Sequence, residues 1–333
     1  MCLTVGAAYT ALAQAPVPAP PAKREPPPRM ARPAPAEPPA VPQERGISER
    51  ALAVDPNVNI QLPCISQARV TVNGWQRDEI RIFIRNGTNV GFKVHEKSPK
   101  SGKPVWVVVR KLTGGPSPES DCISGERIDI EVPSAAVLKI VGRETETRID
   151  SVKKVEIKNL GGNVALRNIA GGITAETFEG DVAVENSSGQ ISLKTSTGNI
   201  VAFEVSPGQV GDVFKAGTSN GSITLQQVDH RQIEANSVSG EVVFNGKFLS
   251  GGIYNFKTSD GSMRLVIPDD SSCRLVAWYG YGTISSELPM KTITRDASEG
   301  GKSLRAQIGE GDATVNLTTN RGRILIAKQT GRP

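Results

Sequence analysis

The sequence predicts an all-β fold: a single-stranded β-solenoid (β-helix-like) with roughly two strands per coil. Three observations carry that expectation. A nine-residue repeat runs from Val155 to Ala202, a glycine separates successive repeats, and the outward charges alternate in sign with a period of eighteen. A long antiparallel meander, or a β-sandwich followed by a solenoid, is the alternative arrangement.

The repeat has two apolar columns. One reads Val155, Val164, Ile173, Val182, Ile191 and Ile200; the other, two places on, reads Ile157, Leu166, Ala175, Val184, Leu193 and Ala202. Apolar residues at i and i+2 with an outward residue between them make one short strand. Gly162, Gly171, Gly180, Gly189 and Gly198 then supply corners, where φ is free to be positive and no Cβ intrudes. The same spacing of inward residue, four-residue gap and glycine recurs at Gly221, Gly240, Gly261, Gly282, Gly311 and Gly322, with longer connections between. Lys158, Arg167, Glu176, Glu185 and Lys194 follow the second column. Neighbours eighteen apart are all of opposite charge, whereas neighbours nine apart are not, and opposite charges belong on adjacent strands. Two nine-residue units per coil follow, and repeat units of this kind stack into one continuous core.

The elements before the repeat read as follows. Residues 1–15, "MCLTVGAAYTALAQA", are small and apolar and end in A-x-A patterns, as a signal peptide does. They lack a basic start, which places the true start upstream of Met1. Residues 16–57 read as a disordered spacer. Twelve of the chain's 23 prolines fall between Pro16 and Arg45, and such sequence tends to an extended form of ~3.1 Å per residue. Residues 58–150 hold strand-like runs such as "ARVTVNGW", "EIRIFIRNG" and "RIDIEVP", read as the first coils and cap. "RIDIEVPSAAVLKI" is similar to "MRLVIPDDSSCRLVA" downstream: strand, proline, short loop, strand. Residues 151–328 are the Gly-corner solenoid and 329–333 a tail.

Composition narrows the function classes. The net charge of +5 is scattered, which speaks against nucleic acid as a partner. No apolar run outside the leader is long enough to cross a membrane. No P-loop, dinucleotide fingerprint, G-x-S-x-G string or zinc spacing is present, so no cofactor and no metal are expected. His230, in "QQVDHRQI", reads as a solvated loop residue. Asp269 and Asp270 read as a polar loop, and Asp181 and Asp212 as turn caps. Cys64 and Cys122 are candidates for a disulfide in an oxidising compartment, leaving Cys273 buried and odd. Trp278, Tyr279 and Tyr281 crowd one corner of a chain with only 5% aromatics, and form the candidate binding patch.

The strings "SSGQISLKTSTGNI", "KTSDGSMRLVIPDDSSCRLVAWYGYGTISSELP" and "IGEGDATVNLTTNRGRILIAK" resemble the bacterial β-strand-repeat domain of unknown function labelled "putative adhesin". The resemblance runs roughly from Ala68 to Lys328 and departs from the pattern at "AWYGYG". It implies an exported, repetitive β domain at the cell envelope. The resulting expectation is a non-enzymatic, periplasmic, cell-surface or secreted protein whose partner is an envelope protein or a glycan. A glycan-active solenoid enzyme and an accessory of envelope-stress signalling are the other two readings.

Overall fold

The computed structural model describes residues 48–112, 121–298 and 300–329. They form 28 strands in two sheets, one of 13 strands (sheet 1) and one of 15 (sheet 2). In the repeat, each coil lays one strand in each sheet. Lys154–Gly161, Ile173–Glu179, Ile191–Thr197 and Val213–Asn220 stack in parallel in sheet 2. Val164–Arg167, Val182–Ser188, Ile200–Ser206 and Ile223–Val228 do so in sheet 1. Val155 lies opposite Ile173, and Ile173 opposite Ile191, so one coil is two strands and eighteen residues. All twelve column residues are at most 2% exposed. Burying each large one removes apolar surface worth roughly 1.5–3 kcal/mol.

Parallel pairing throughout the repeat makes it a solenoid and not a meander. The outward charges meet as the period required: Glu176 lies between Lys158 at 3.7 Å and Lys194 at 3.5 Å, and Arg167 pairs with Glu185 at 2.7 Å. The N-terminal region continues the same sheets. Val137–Arg143 and Asn59–Ser66 extend sheet 2, and Glu146–Asp150 and Arg69–Trp75 extend sheet 1. One cluster of buried residues runs from Val54 to Ile326, so residues 58–150 share the core of the repeat rather than forming a separate sandwich.

The turn from sheet 2 to sheet 1 is built on two stacked columns. The first is glycine. A Cβ on Gly180, Gly198, Gly221, Gly240 or Gly261 would overlap the carbonyl oxygen of the corner glycine in the preceding layer. The second is polar and buried: Asn159, Thr177, Thr195, Thr218, Ser237, Thr258 and Thr319, each three residues before its glycine. The hydroxyls of Thr195, Thr218, Ser237 and Thr258 donate to the carbonyls of Gly180, Gly198, Gly221 and Gly240 at 2.9–3.0 Å. Each therefore pairs a buried hydroxyl with a carbonyl one layer away, leaving neither orphaned. Eight corner glycines serve this turn. Gly171 and Gly189 stand at the opposite turn, where Gly172 rather than Gly171 takes the positive φ, and Gly311 stands in the reversal before strand Thr314–Arg321.

The order of layers departs from the order of the chain at two places. Strand Arg127–Pro133 of sheet 1 runs into Val137–Arg143 of sheet 2, but the two lie two layers apart. The coil Asn59–Trp75 fills the gap, pairing with both in parallel. At the other end, Met263–Ile267 runs into Cys273–Gly280, and Thr314–Lys328 fills the gap. Both skips pass through the strand–proline–loop–strand motifs, at Pro133 and Pro268. Antiparallel strands close the stack: Ser48–Ala53 on Glu79–Arg85, Val90–Lys97 on Pro104–Lys111, and Lys291–Ser298 on Gly301–Ile308.

Two boundaries move. Ser48–Ala53, placed in the 16–57 spacer by composition, is a paired strand. Its run to Asp55 contains no proline, Leu52 packs on the core and Val54 is buried. Gln329, assigned to the tail, donates its backbone N–H to Ile267 at 2.9 Å. The leader and residues 16–47 of the spacer lie outside the described residues, as do residues 330–333. Cys64 and Cys122 form a disulfide with Cα atoms 4.7 Å apart.

Candidate functional site

The aromatic corner does not form one patch. In strand Cys273–Gly280 alternation sends Trp278 outward, 38% exposed, and Tyr279 inward, 5% exposed. Tyr281 stands in the following turn, 74% exposed, with its N–H bonded to the Asn320 carbonyl at 2.9 Å. Trp278 is opposite Ser303 of the antiparallel cap strand. Tyr279 belongs to the core, which removes it from any binding surface.

His230 is not solvated. It is fully buried, against the expectation for a loop histidine, because its loop folds under the neighbouring turn. Its Nε2 lies 2.8 Å from the Gly189 carbonyl, which can only accept, so the proton is on Nε2. Nδ1 is buried without a partner. Burial holds its pKa below the ordinary histidine value, against smaller opposing pulls from the Gly189 hydrogen bond, Asp212 and Asp229. His95 stacks on Trp106 with centroids 4.9 Å apart.

The carboxylates singled out in the sequence serve turns. Asp212 accepts the N–H groups of Gly208 and Gln209 at 2.8 and 2.9 Å, and Asp181 that of Asn199 at 2.7 Å. Asp269 pairs with Lys328 at 2.7 Å, which lowers its pKa, and the Gly251 N–H lowers that of Asp312. Both shifts run opposite to what a general acid requires. Burial pushes the Cys273 thiol up to about 12, so it is inert near neutrality. Among the described residues no group of three or more His, Cys, Asp and Glu could hold a metal ion.

The feature that reasoning on the sequence missed is a cleft of about 440 Å³ beside sheet 1. It is lined by Glu204, Ser206, Gln226, Gln227, Asn245 and Gln329, among others, with part-exposed Pro268 as an apolar wall. Its origin is local. Strands Ile200–Ser206 and Ile223–Val228 kink through left-handed residues, Glu204 at φ 52° and Gln227 at φ 54°, and continue past the kink. Strand Val242–Asn245 ends at the equivalent point and turns away at Gly246. The step between long and short strands is the cleft. The signal in the sequence was the lengthening of the connections after Gly198, together with the polar residues where strands end.

Residues 123–327 match the family model described as Toastrack DUF4097. The match spans more than half of the chain. The chain belongs to the Toastrack DUF4097 family. Within this Toastrack domain lie both proline-linked layer skips, the polar column and the cleft up to Pro268. The coil Asn59–Trp75 precedes the matched span, although it forms an inner layer of the stack. Among solved structures, the chain is similar to a "putative cell adhesion protein" from Clostridium sporogenes, at 12% identity and a TM-score of 0.26, covering 85% of this chain and 100% of that one. No curated protein matches.

Proposed function

We propose that this Toastrack protein is an exported, non-enzymatic, adhesin-like scaffold that binds a component of the cell envelope. The observation that carries the reading is the Cys64–Cys122 disulfide. A disulfide of this kind persists in oxidising compartments and is rare in reducing ones. It ties strand Asn59–Ser66 of the intercalated coil to the segment that leads into the Toastrack match. The stacked layers present a long surface on rigid strands, the arrangement by which repeat proteins bind partners. The A-x-A leader and the proline-rich spacer fit delivery to the envelope and display away from an attachment point.

Thiol trapping in intact cells tests it. Cells are quenched in acid and alkylated with a mass-tagged maleimide, with and without prior reduction. The expected outcome is protein outside the cytoplasm with Cys64 and Cys122 labelled only after reduction and Cys273 labelled on denaturation alone. Cytoplasmic protein with Cys64 and Cys122 labelled without reduction would overturn the reading.

A further inference from the structure

We infer that the cleft beside sheet 1 binds a neutral, extended, β-linked polysaccharide lying along the stack. The inference rests on the scaffold reading and gives it a site and a ligand class.

The first ground is hydrogen-bonding capacity. Several outward amides elsewhere on the stack are satisfied by a side chain of the next layer: Asn186 bonds to Asn168 at 2.6 Å, Asn316 to Asn255 at 2.8 Å, and Asn199 to the Asp181 carboxylate at 3.2 Å. The side chains of Gln226, Gln227, Asn245 and Gln329 are held by no other group of the described protein. Each amide offers donors and an acceptor, and a sugar hydroxyl is both at once. Glu204 and Asp229 add acceptors for pairs of neighbouring hydroxyls.

The second ground is spacing. Register places Phe203, Gln226, Asn245, Val266 and Ala327 in successive layers of sheet 1. The cleft residues beside them therefore advance by one strand spacing at a time, about 4.8 Å, over a length of about 19 Å. An extended β-linked pyranose chain advances by nearly the same distance per sugar, so the amides of Gln226 and Asn245, in adjacent layers, meet neighbouring sugars, and Gln329, two layers beyond Asn245, meets one further along. The third ground is charge. One lysine, Lys247, faces two carboxylates, and no arginine lines the cleft. An anionic chain would be repelled where a neutral one is not. Pro268, part-exposed, supplies an apolar wall that a sugar ring face packs on. The volume falls in the range of about 300–1,000 Å³ typical of small-ligand sites.

The test is calorimetric titration of the full chain with cellohexaose, with chitohexaose and with a galacturonate hexamer, each also run on the Q226A/N245A/Q329A variant. The three changes replace part-exposed side chains without partners, and the disulfide and the thermal midpoint check that the variant folds. The expected result is one site for a neutral hexamer, weakened about tenfold or more in the variant, as the loss of several hydrogen bonds implies. Three results would overturn the proposal: no binding of either neutral hexamer, unchanged affinity in the folded variant, or binding of the galacturonate hexamer alone. None of these touches the compartment or disulfide state, so the scaffold reading stands or falls separately.

Discussion

His230 donates its Nε2 proton to the carbonyl of Gly189 at 2.8 Å, joining two turns that are 41 residues apart. The bond requires one tautomer, and the buried Nδ1 has no acceptor to receive a second proton. Asp212 and Asp229 favour the charged form but do not outweigh burial. The folded-state pKa is therefore below the unfolded value of about 6.5, and the unfolded chain takes up the proton first. The contribution is complete above that value and is lost as pH falls below it towards the folded pKa. Stability to urea is expected to decline on acidification from pH 7, at up to about 1.4 kcal/mol per pH unit from this group. His230→Gln should flatten that part of the profile; an unchanged slope in the variant would count against the assignment.

The glycine column makes a sharper prediction. At Gly198, φ is 148° and a Cβ would overlap the backbone carbonyl of Gly180. At Gly211, φ is 95° but nothing lies within 4 Å. Gly211→Ala meets only the backbone penalty, roughly 1 kcal/mol, whereas Gly198→Ala adds a steric conflict and is expected to cost about 3 kcal/mol or more. Urea midpoints of the two variants compare the two effects directly. Equal costs would mean that the corner relaxes and the stacked column is not rigid.

The layer skips predict how truncations behave. Removing residues 314–333 deletes an inner layer, between strands Ile253–Asp260 and Cys273–Gly280, and not an end. Deleting Ser48–Ala53 removes an edge strand only. In a stack where layers contact only their neighbours, losing an end shortens the cooperative unit, while losing an inner layer breaks it. Hydrogen exchange should show protection retained after the edge deletion and lost across Cys273–Ser286 after the C-terminal one. The Toastrack span 123–327 expressed alone should lack protection in Arg127–Pro133, whose inner neighbour Arg69–Trp75 is then missing.

Much of this architecture was legible in the residues because period and chemistry pointed the same way. Val155, Ile173 and Ile191 share a column because eighteen residues close one coil, and Lys158, Glu176 and Lys194 follow from the same count. Three features were not legible. Thr195 and Thr218 stand in the four-residue gap before glycine, and nothing local says that a carbonyl waits one layer away. Pro133 and Pro268 sit in motifs that look alike, but a skipped layer depends on which distant coil fills it. The cleft depends on strands of unequal length in adjacent layers, a comparison between elements far apart in the chain. The aromatic corner drew attention by composition, and alternation then split it by burying Tyr279.

Glu204 and Asp229 line the same cleft, so the measurement that separates a binding scaffold from a glycan-active enzyme is made there. Purified full chain is incubated with an insoluble neutral β-linked glucan, and co-sedimentation of the protein and release of new reducing ends are followed together. The expected result is protein in the pellet with reducing ends no higher than in buffer. Reducing ends that accumulate with the wild type and disappear with Glu204→Gln or Asp229→Asn would contradict the non-enzymatic scaffold.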